Sequence, residues 1–159
     1  MTLTELKTLI QNYTENDETT FVNTLNDMII NTEERIAELI EFDYFRKNVT
    51  GALTTGNTYL TAPTDYKLSF SLAVIDSNND YHYLDKKHTS FMREYSNDAV
   101  DSSERGRPLY YADFDKDLST ASNNGSTLIV SPVPDQNYNV ELHYLYKPTS
   151  LTSQTTGTW

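Results

Sequence analysis

The sequence of 159 residues contains no cysteine. This absence excludes disulfide bonds, thiolate metal ligands and thiol nucleophiles. Aromatic residues are abundant instead, with twelve tyrosines and six phenylalanines. Bulky aromatic side chains favour a core built on strands, and the length suits one domain or one domain with an arm.

Long apolar runs are also missing from the sequence. A membrane-spanning helix needs about 20 consecutive apolar residues, and no stretch of the chain approaches that length. We therefore expect no membrane partner.

Basic residues are few, which leaves a net charge of −11. Residues 1–45 hold ten acidic side chains against Lys7 and Arg35, so most of the negative charge lies in this segment. A surface of this sign repels phosphate backbones. We expect no specific binding of nucleic acid.

The segment 1–45 has helical periodicity. Thr2 and Glu5 fit a capping box that begins a short first helix. A second, longer helix carries an apolar stripe on one face, and its opposite face is acidic. The stripe is a candidate interface and comprises Phe21, Leu25, Met28, Ile29, Ile36, Leu39 and Ile40.

Beyond this segment the pattern changes to alternation with frequent turn residues. Residues 46–148 are predicted to form an antiparallel β domain, sandwich or barrel-like, with one short helix near 89–96. Two strands around Thr55-Gly56-Asn57 are expected to form a hairpin. Residues 149–159 are polar and predict a linker or tail. The predicted fold class is therefore α+β.

Two acidic clusters invite a calcium interpretation: Asp76, Asn78 and Asp80, then Asp113, Asp115 and Asp117. Each resembles only the opening of an EF-hand loop, which also needs a glycine at its sixth position and a glutamate at its twelfth. Those positions hold Tyr81 and Lys87 in the first cluster, then Leu118 and Asn124 in the second. Both clusters are more typical of turns.

Histidines near carboxylates could bind a metal, but alternation places His82 and Asp85 on opposite faces of one strand. His88 and His143 have no ordered partner in the sequence. No nucleophile elbow, phosphate-binding loop or zinc-protease motif occurs. We therefore predict no catalytic residue, no metal and no cofactor, and a protein that is not an enzyme.

Tyrosines could form a stacking platform for sugars or bases, through Tyr110 and Tyr111 or through the last strand. The last strand is more simply explained by burial of one face. Its even-numbered positions share that face and are Tyr138, Val140, Leu142, Tyr144 and Tyr146.

The order of these elements resembles the head-to-tail adaptor proteins (connector or neck proteins) of tailed bacteriophages. Three motifs carry the resemblance over residues 20–151. A Pro-x-x-Tyr turn leads into a strand, a Gly-x-Pro precedes a tyrosine-rich strand, and a Pro-x-Pro-Asp precedes a strand that closes on proline. The residues are Pro63 and Tyr66; Gly106, Pro108, Tyr110 and Tyr111; Pro132, Pro134, Asp135, Tyr138, Tyr144, Tyr146 and Pro148.

The resemblance implies a structural protein of the virion neck, assembled in the host cytoplasm. It implies a homo-oligomeric ring of roughly twelve copies between the portal protein and a tail or nozzle protein. DNA would pass through an axial channel without being specifically bound. Members of this family usually continue past the last strand into helices that pack on the N-terminal one, so we expect such helices beyond Trp159, where they would cover part of the apolar stripe. The stripe could instead rest on the β domain or on another subunit.

Two further sets of residues follow as candidates within that role. Acidic residues of the second helix would face the channel: Glu33, Glu34, Glu38 and Glu41. A long polar loop would dock a partner: Asn97, Asp98, Asp101, Glu104, Arg105 and Arg107. The alternative function is a β-sandwich virion module that binds carbohydrate or calcium, for receptor binding or decoration.

Overall fold

A computed structural model describes residues 1–40, 43–95, 102–115 and 126–153 of the chain. The chain divides into two compact units. The helical unit comprises Met1–Phe45 and the C-terminal residues from Lys147, and the β unit comprises Arg46–Tyr146.

The first helix of the helical unit, α1 (Leu3–Thr14), begins at the predicted capping box. The Thr2 backbone N–H donates to Glu5 Oε2 at 2.8 Å, and the Glu5 N–H donates to Thr2 Oγ1 at 3.2 Å. These two bonds satisfy donors that a helix start leaves unpaired. The helix ends at Thr14, and the C-cap residue Glu15 has a φ of 50°, in the left-handed region.

The second helix, α2 (Thr19–Leu39), is the longest element of the helical unit. It follows a short turn in which Asn16 Oδ1 accepts a hydrogen bond from the Glu18 N–H at 2.9 Å. Two 3₁₀ turns, Asp43–Phe45 and Leu151–Ser153, complete the unit among the described residues. No helix in the described part of the chain is long and apolar enough to cross a membrane.

The β unit contains two four-stranded sheets with the strand orders β1-β8-β3-β4 and β2-β7-β6-β5. All pairs are antiparallel except β5 with β6. The strands are β1 (Arg46–Leu53), β2 (Tyr59–Thr61), β3 (Tyr66–Ile75), β4 (Tyr81–Tyr83), β5 (Asp85–Lys86), β6 (Tyr110–Asp115), β7 (Thr127–Ser131) and β8 (Tyr138–Tyr146).

The two sheets share one hydrophobic core, which makes the β unit a sandwich. Buried side chains come from both sheets, among them Leu72 and Val140 from one and Leu128 and Val130 from the other. Strand β8 alternates as predicted. Its buried positions are Tyr138, Val140, Leu142 and Tyr144, with Tyr146 partly buried against the same core.

A short helix, α3 (Thr89–Tyr95), packs on the outer side of the second sheet. Its Met92 is buried against Ala112 of β6 and Ile129 of β7. The helix thus covers part of the sheet face that points away from the shared core. The predicted α+β fold, with an amphipathic long helix followed by an antiparallel-rich β region, is confirmed.

The hairpin expected around Thr55-Gly56-Asn57 is wrong, because the two strands beside this turn belong to different sheets. Strand β1 pairs with β8 along its whole length, whereas β2 pairs with β7. The connecting turn is held by the loop before β8, since the Gly56 N–H donates to the Pro134 carbonyl at 2.9 Å. The chain therefore crosses from one sheet to the other at this turn.

Candidate interaction surfaces

The apolar stripe of α2 is only partly covered. Leu25 and Ile29 are buried, and Phe21 and Ile36 are half-buried. The remaining members of the predicted interface are exposed: Met28 by 49%, Ile40 by 45% and Leu39 by 73%. A stripe with this much exposed apolar surface is typical of an element that binds a further partner.

An apolar groove of about 420 Å³ lies beside this stripe, between α1, α2 and the turn Leu151–Ser153. We call it the helical groove. Apart from Thr32 and Glu33, its lining side chains are apolar: Met1, Leu6, Ile10, Leu25, Met28, Ile29, Ile36 and Leu151. Clefts of this size with a mostly apolar lining are the common form of small-molecule binding sites.

Two of the candidate channel-facing acids accept hydrogen bonds from the C-terminal segment. Glu33 Oε1 accepts a hydrogen bond from the Leu151 backbone N–H at 3.0 Å, and Glu34 Oε1 accepts one from Lys147 Nζ at 2.9 Å. Both acids thus hold the C-terminal segment on α2. Glu38 is exposed, and Glu41 lies outside the described residues.

The candidate docking loop is described only at its end. Asn97, Asp98 and Asp101 lie outside the described residues, and Glu104 closes the 3₁₀ turn Ser102–Glu104. Arg107 is exposed.

Arg105 is instead packed against the turn between β1 and β2. A β-carbon at Gly56 would lie 3.3 Å from the Arg105 guanidinium carbon, and Gly56 has a φ of 74°. The left-handed backbone conformation therefore favours glycine there, and a β-carbon would also make the Arg105 guanidinium shift by a few tenths of an ångström. Next to it, the Gly106 N–H donates to the Val133 carbonyl at 2.9 Å.

A polar cluster joins the two sheets of the sandwich. The Asp113 carboxylate of β6 accepts a hydrogen bond from the Tyr66 hydroxyl of β3 and pairs with Lys86 Nζ at 2.6 Å. Lys86 also donates to Ser69 Oγ of β3 at 2.9 Å. Burial and the bond to Asp113 raise the pKa of Tyr66, so its hydroxyl stays a donor at neutral pH.

A second polar contact fixes the edge strand β1. The Asp65 carboxylate accepts hydrogen bonds from Lys47 Nζ at 2.6 Å and from the Tyr144 hydroxyl at 2.9 Å. Lys47 Nζ also lies 3.9 Å from the ring centre of Tyr146, a cation–π distance. Burial and the bond to Asp65 raise the pKa of Tyr144 to about 12.

The first acidic cluster forms a turn, as its composition predicts. Asp76 Oδ1 accepts the backbone N–H groups of Asn78 at 2.8 Å and Asp80 at 3.0 Å. Its other oxygen lies 3.1 Å from His82 Nε2, and this bond is the main reason that the pKa of Asp76 is lowered. The carboxylate is thus occupied by the hairpin itself.

The second acidic cluster is not a turn where it is described. Asp113 and Asp115 belong to strand β6, and Asp117 lies outside the described residues. The turn prediction was wrong for these two aspartates because the β6–β7 pairing extends through Asp115. No group of three or more His, Asp or Glu side chains that could hold a metal occurs in the described part of the chain.

The histidines are dispersed, in keeping with separate structural roles. His88 Nδ1 lies 2.9 Å from Ser90 Oγ, and His143 contacts the ring of Phe70 with ring centres 6.0 Å apart. His82 bonds to Asp76.

An exposed aromatic patch lies on the outer side of the second sheet. Arg93 of α3 donates to the Tyr59 hydroxyl at 2.9 Å, and the Tyr59 ring lies 5.4 Å from that of Phe114. Tyr95 stacks on Phe91 beside them. Of the two neighbouring tyrosines named from the sequence, Tyr111 is buried, whereas the Tyr110 ring lies 5.1 Å from that of Phe91 and 5.0 Å from that of Tyr95. The sequence did not show the other members of the patch, because they come from β2, α3 and β6.

Comparison with known proteins identifies this architecture. No curated protein matches the chain. The family described as SU10 adaptor protein matches residues 1–159, the whole chain. The resemblance to phage head-to-tail adaptors is confirmed, and with it a structural role in a bacteriophage virion. The chain belongs to the SU10 adaptor protein family.

Proposed function

We propose that this chain forms a ring in the virion neck, between the portal protein and a tail or nozzle protein, with an axial channel through which DNA passes. The observation that carries the proposal is the family match over the full chain. The role is structural and needs no catalytic site or cofactor. Assembly would take place in the host cytoplasm, before DNA ejection.

The exposed edge of the sandwich supports a ring. Strand β1 lies at the edge of its sheet, and seven of its eight residues are exposed. An edge strand of this length presents unpaired backbone groups that a neighbouring chain can bind. Head-to-tail contacts between identical subunits form a ring when the rotation from one subunit to the next closes, and the proposed ring closes after roughly twelve copies.

Within that ring the acidic face of α2 would line the channel. Glu34 and Glu38 are exposed, which suits a wall that repels phosphate weakly and lets DNA slide. Glu33 and Glu41 complete the proposed set. Because Glu33 and Glu34 bond to the C-terminal segment, that segment would stand beside the channel wall.

The docking proposal concerns the loop 97–107. Its described end presents Arg107 to solvent, while Arg105 anchors the loop on the Gly56 turn. Such an anchor would leave residues 98–104 to contact the portal or the tail protein.

An add-back assay tests the proposed function. Phage grown without this protein should yield filled heads and free tails, and adding the purified chain should restore joined particles. A variant lacking residues 98–104 should remain folded by circular dichroism and fail to join them. A variant with Glu38→Lys and Glu41→Lys, which keeps the two acids that bond to the C-terminal segment, should join heads to tails but eject DNA more slowly.

The three arms separate the proposals from one another. Joined particles in the absence of the protein would reject the adaptor function itself. Normal joining by the loop variant would reject only the docking loop, and unchanged ejection kinetics would reject only the channel-facing acids. Reversing exposed acids of the β unit, Asp80 and Glu94, provides the charge control.

A further inference from the structure

Both outer faces of the sandwich carry exposed aromatic side chains. The outer face of an antiparallel sheet is usually polar, because it faces water. On the first sheet Tyr81 is exposed by 50% and Tyr83 by 68%, and Phe70 is also exposed. On the second sheet Tyr59 and Phe114 are exposed. Aromatic surface on two opposite sides is typical of a subunit that contacts a neighbour on each side.

The exposed aromatic residues of the first sheet surround one acidic side chain. Glu141 of β8 and Tyr83 of β4 pair with the same residue of β3, so their side chains lie on the same side of the sheet. The Tyr81 hydroxyl lies 3.4 Å from Glu141 Oε2. Glu141 forms no ion pair within the described residues. We call this surface the tyrosine face, and its members are Phe70, Tyr81, Tyr83, Glu141 and His143.

The exposed aromatic residues of the second sheet surround a basic side chain instead. Arg93 donates to the Tyr59 hydroxyl at 2.9 Å, and its guanidinium carbon lies 5.7 Å from the ring centre of Phe114. Arg93 is exposed and, like Glu141, forms no ion pair within the part of the chain that the structure describes. We call this surface the aromatic patch, and its members are Tyr59, Phe91, Arg93, Tyr95, Tyr110 and Phe114.

The two surfaces lie on opposite sides of the sandwich, because the two sheets share one core. Contact between unlike surfaces would place Glu141 of one copy against Arg93 of the next, and the other surface of each copy would stay free for a further copy. Contact between like surfaces would bring equal charges together and would end at a dimer. The charges therefore favour the head-to-tail arrangement.

We propose that the tyrosine face of one copy packs on the aromatic patch of the next copy, with Glu141 paired to Arg93 across the contact. The proposal rests on the proposed ring and names the surfaces that form it. The aromatic rings supply apolar contact area, and by excluding water they strengthen the ion pair between them. Strand β1 borders the sheet that carries the tyrosine face, so the same neighbour also comes close to its free edge.

Charge reversal tests the pairing on the cognate portal. Glu141→Arg or Arg93→Glu alone places like charges in contact. Each should raise the protein concentration for half-maximal ring formation about tenfold, followed by sedimentation velocity. The double variant restores opposite charges and should return this concentration to within about threefold of the wild-type value. Asp17→Arg makes the same change of net charge at an exposed residue of the helical unit and should have little effect.

Crosslinking tests the contact without altering either charge. The chain has no cysteine, so introduced cysteines are its only thiols. Thr50 pairs with Glu141, and Thr61 follows Tyr59 by two residues on the same side of β2; both threonines are exposed. A short bis-maleimide added to portal-bound rings of Thr50→Cys/Thr61→Cys should give dimers, trimers and larger products of this chain. Each single variant should stay monomeric, and a mixture of the two should stop at dimers.

Dimers from either single variant would show contact between like surfaces and overturn the proposal. Portal-bound rings of the double-cysteine variant that give no crosslinked product would also overturn it. So would an Asp17→Arg effect as large as that of Glu141→Arg, because net charge alone would then explain both. These outcomes leave the ring in place, whereas a wild-type chain that forms no ring on the portal would reject the proposed function and this contact together.

Discussion

Replacing Leu25 by alanine should strip the helical unit of its protection from amide hydrogen exchange while the sandwich stays protected. Leu25 is fully buried, and truncating such a leucine costs about 3 kcal/mol. A unit with so small a core has only about 3–5 kcal/mol to lose. Hydrogen exchange followed by mass spectrometry should therefore show fast exchange across α2, with β3 and β8 unchanged.

The matched control for this variant is Leu39→Ala. Leu39 belongs to the same helix and the same predicted stripe but is 73% exposed, so its truncation should leave exchange across α2 nearly unchanged. Loss of protection in the helices and the sandwich together would show that the two units unfold as one. Full protection of α2 in Leu25→Ala would show that its core lies elsewhere.

Replacing Asp113 by alanine should destabilise the sandwich by about 2 kcal/mol, because Tyr66 and Lys86 both lose the carboxylate that they bind. The side chains of Asp113 and Lys86 are 30% and 37% exposed, so water replaces part of the lost interaction. Urea unfolding of the β unit, monitored by tyrosine fluorescence, measures the change in the free energy of unfolding.

The neighbouring aspartate provides the control. Asp115→Ala lies on the same strand at an exposed position and should change the free energy of unfolding by less than about 0.5 kcal/mol. Tyr66→Phe should cost about 1 kcal/mol, and the double variant should show positive coupling with Asp113→Ala. Equal effects of the two aspartate variants would reject the structural role. Stabilisation of the wild type by calcium, abolished in Asp113→Ala, would favour the alternative calcium-binding function.

The sequence predicted the elements well where one physical rule decides them. The capping box at Thr2 and Glu5 depends on a local exchange of hydrogen bonds, and the buried face of β8 depends on strict alternation. Both are confirmed.

Pairing between strands was harder to predict. Alternation shows which residues of a strand share a face, but it does not show which strands lie beside it. The turn at Gly56 has hairpin composition, yet contacts with Pro134 and Arg105 direct the chain into the other sheet. These contacting residues are distant in sequence from the turn, so no local pattern predicts the contacts.

The candidate surfaces show the same limit. The stripe on α2 was visible from its periodicity, but the split between buried Leu25 and exposed Met28 depends on α1 and on the turn at Leu151. The aromatic patch around Arg93 combines three elements. Asp113 was noticed for its charge, whereas its partners Tyr66 and Lys86 come from two other strands.

The native mass of the protein, alone and after mixing with its cognate portal, tests the adaptor assignment most directly. Mass photometry at nanomolar concentration resolves the portal oligomer from any complex with added subunits. We predict that the mass of the portal oligomer increases in one step by the mass of a full ring, which is roughly twelve chains. A portal whose mass is unchanged at saturating concentrations of the protein would contradict the adaptor ring.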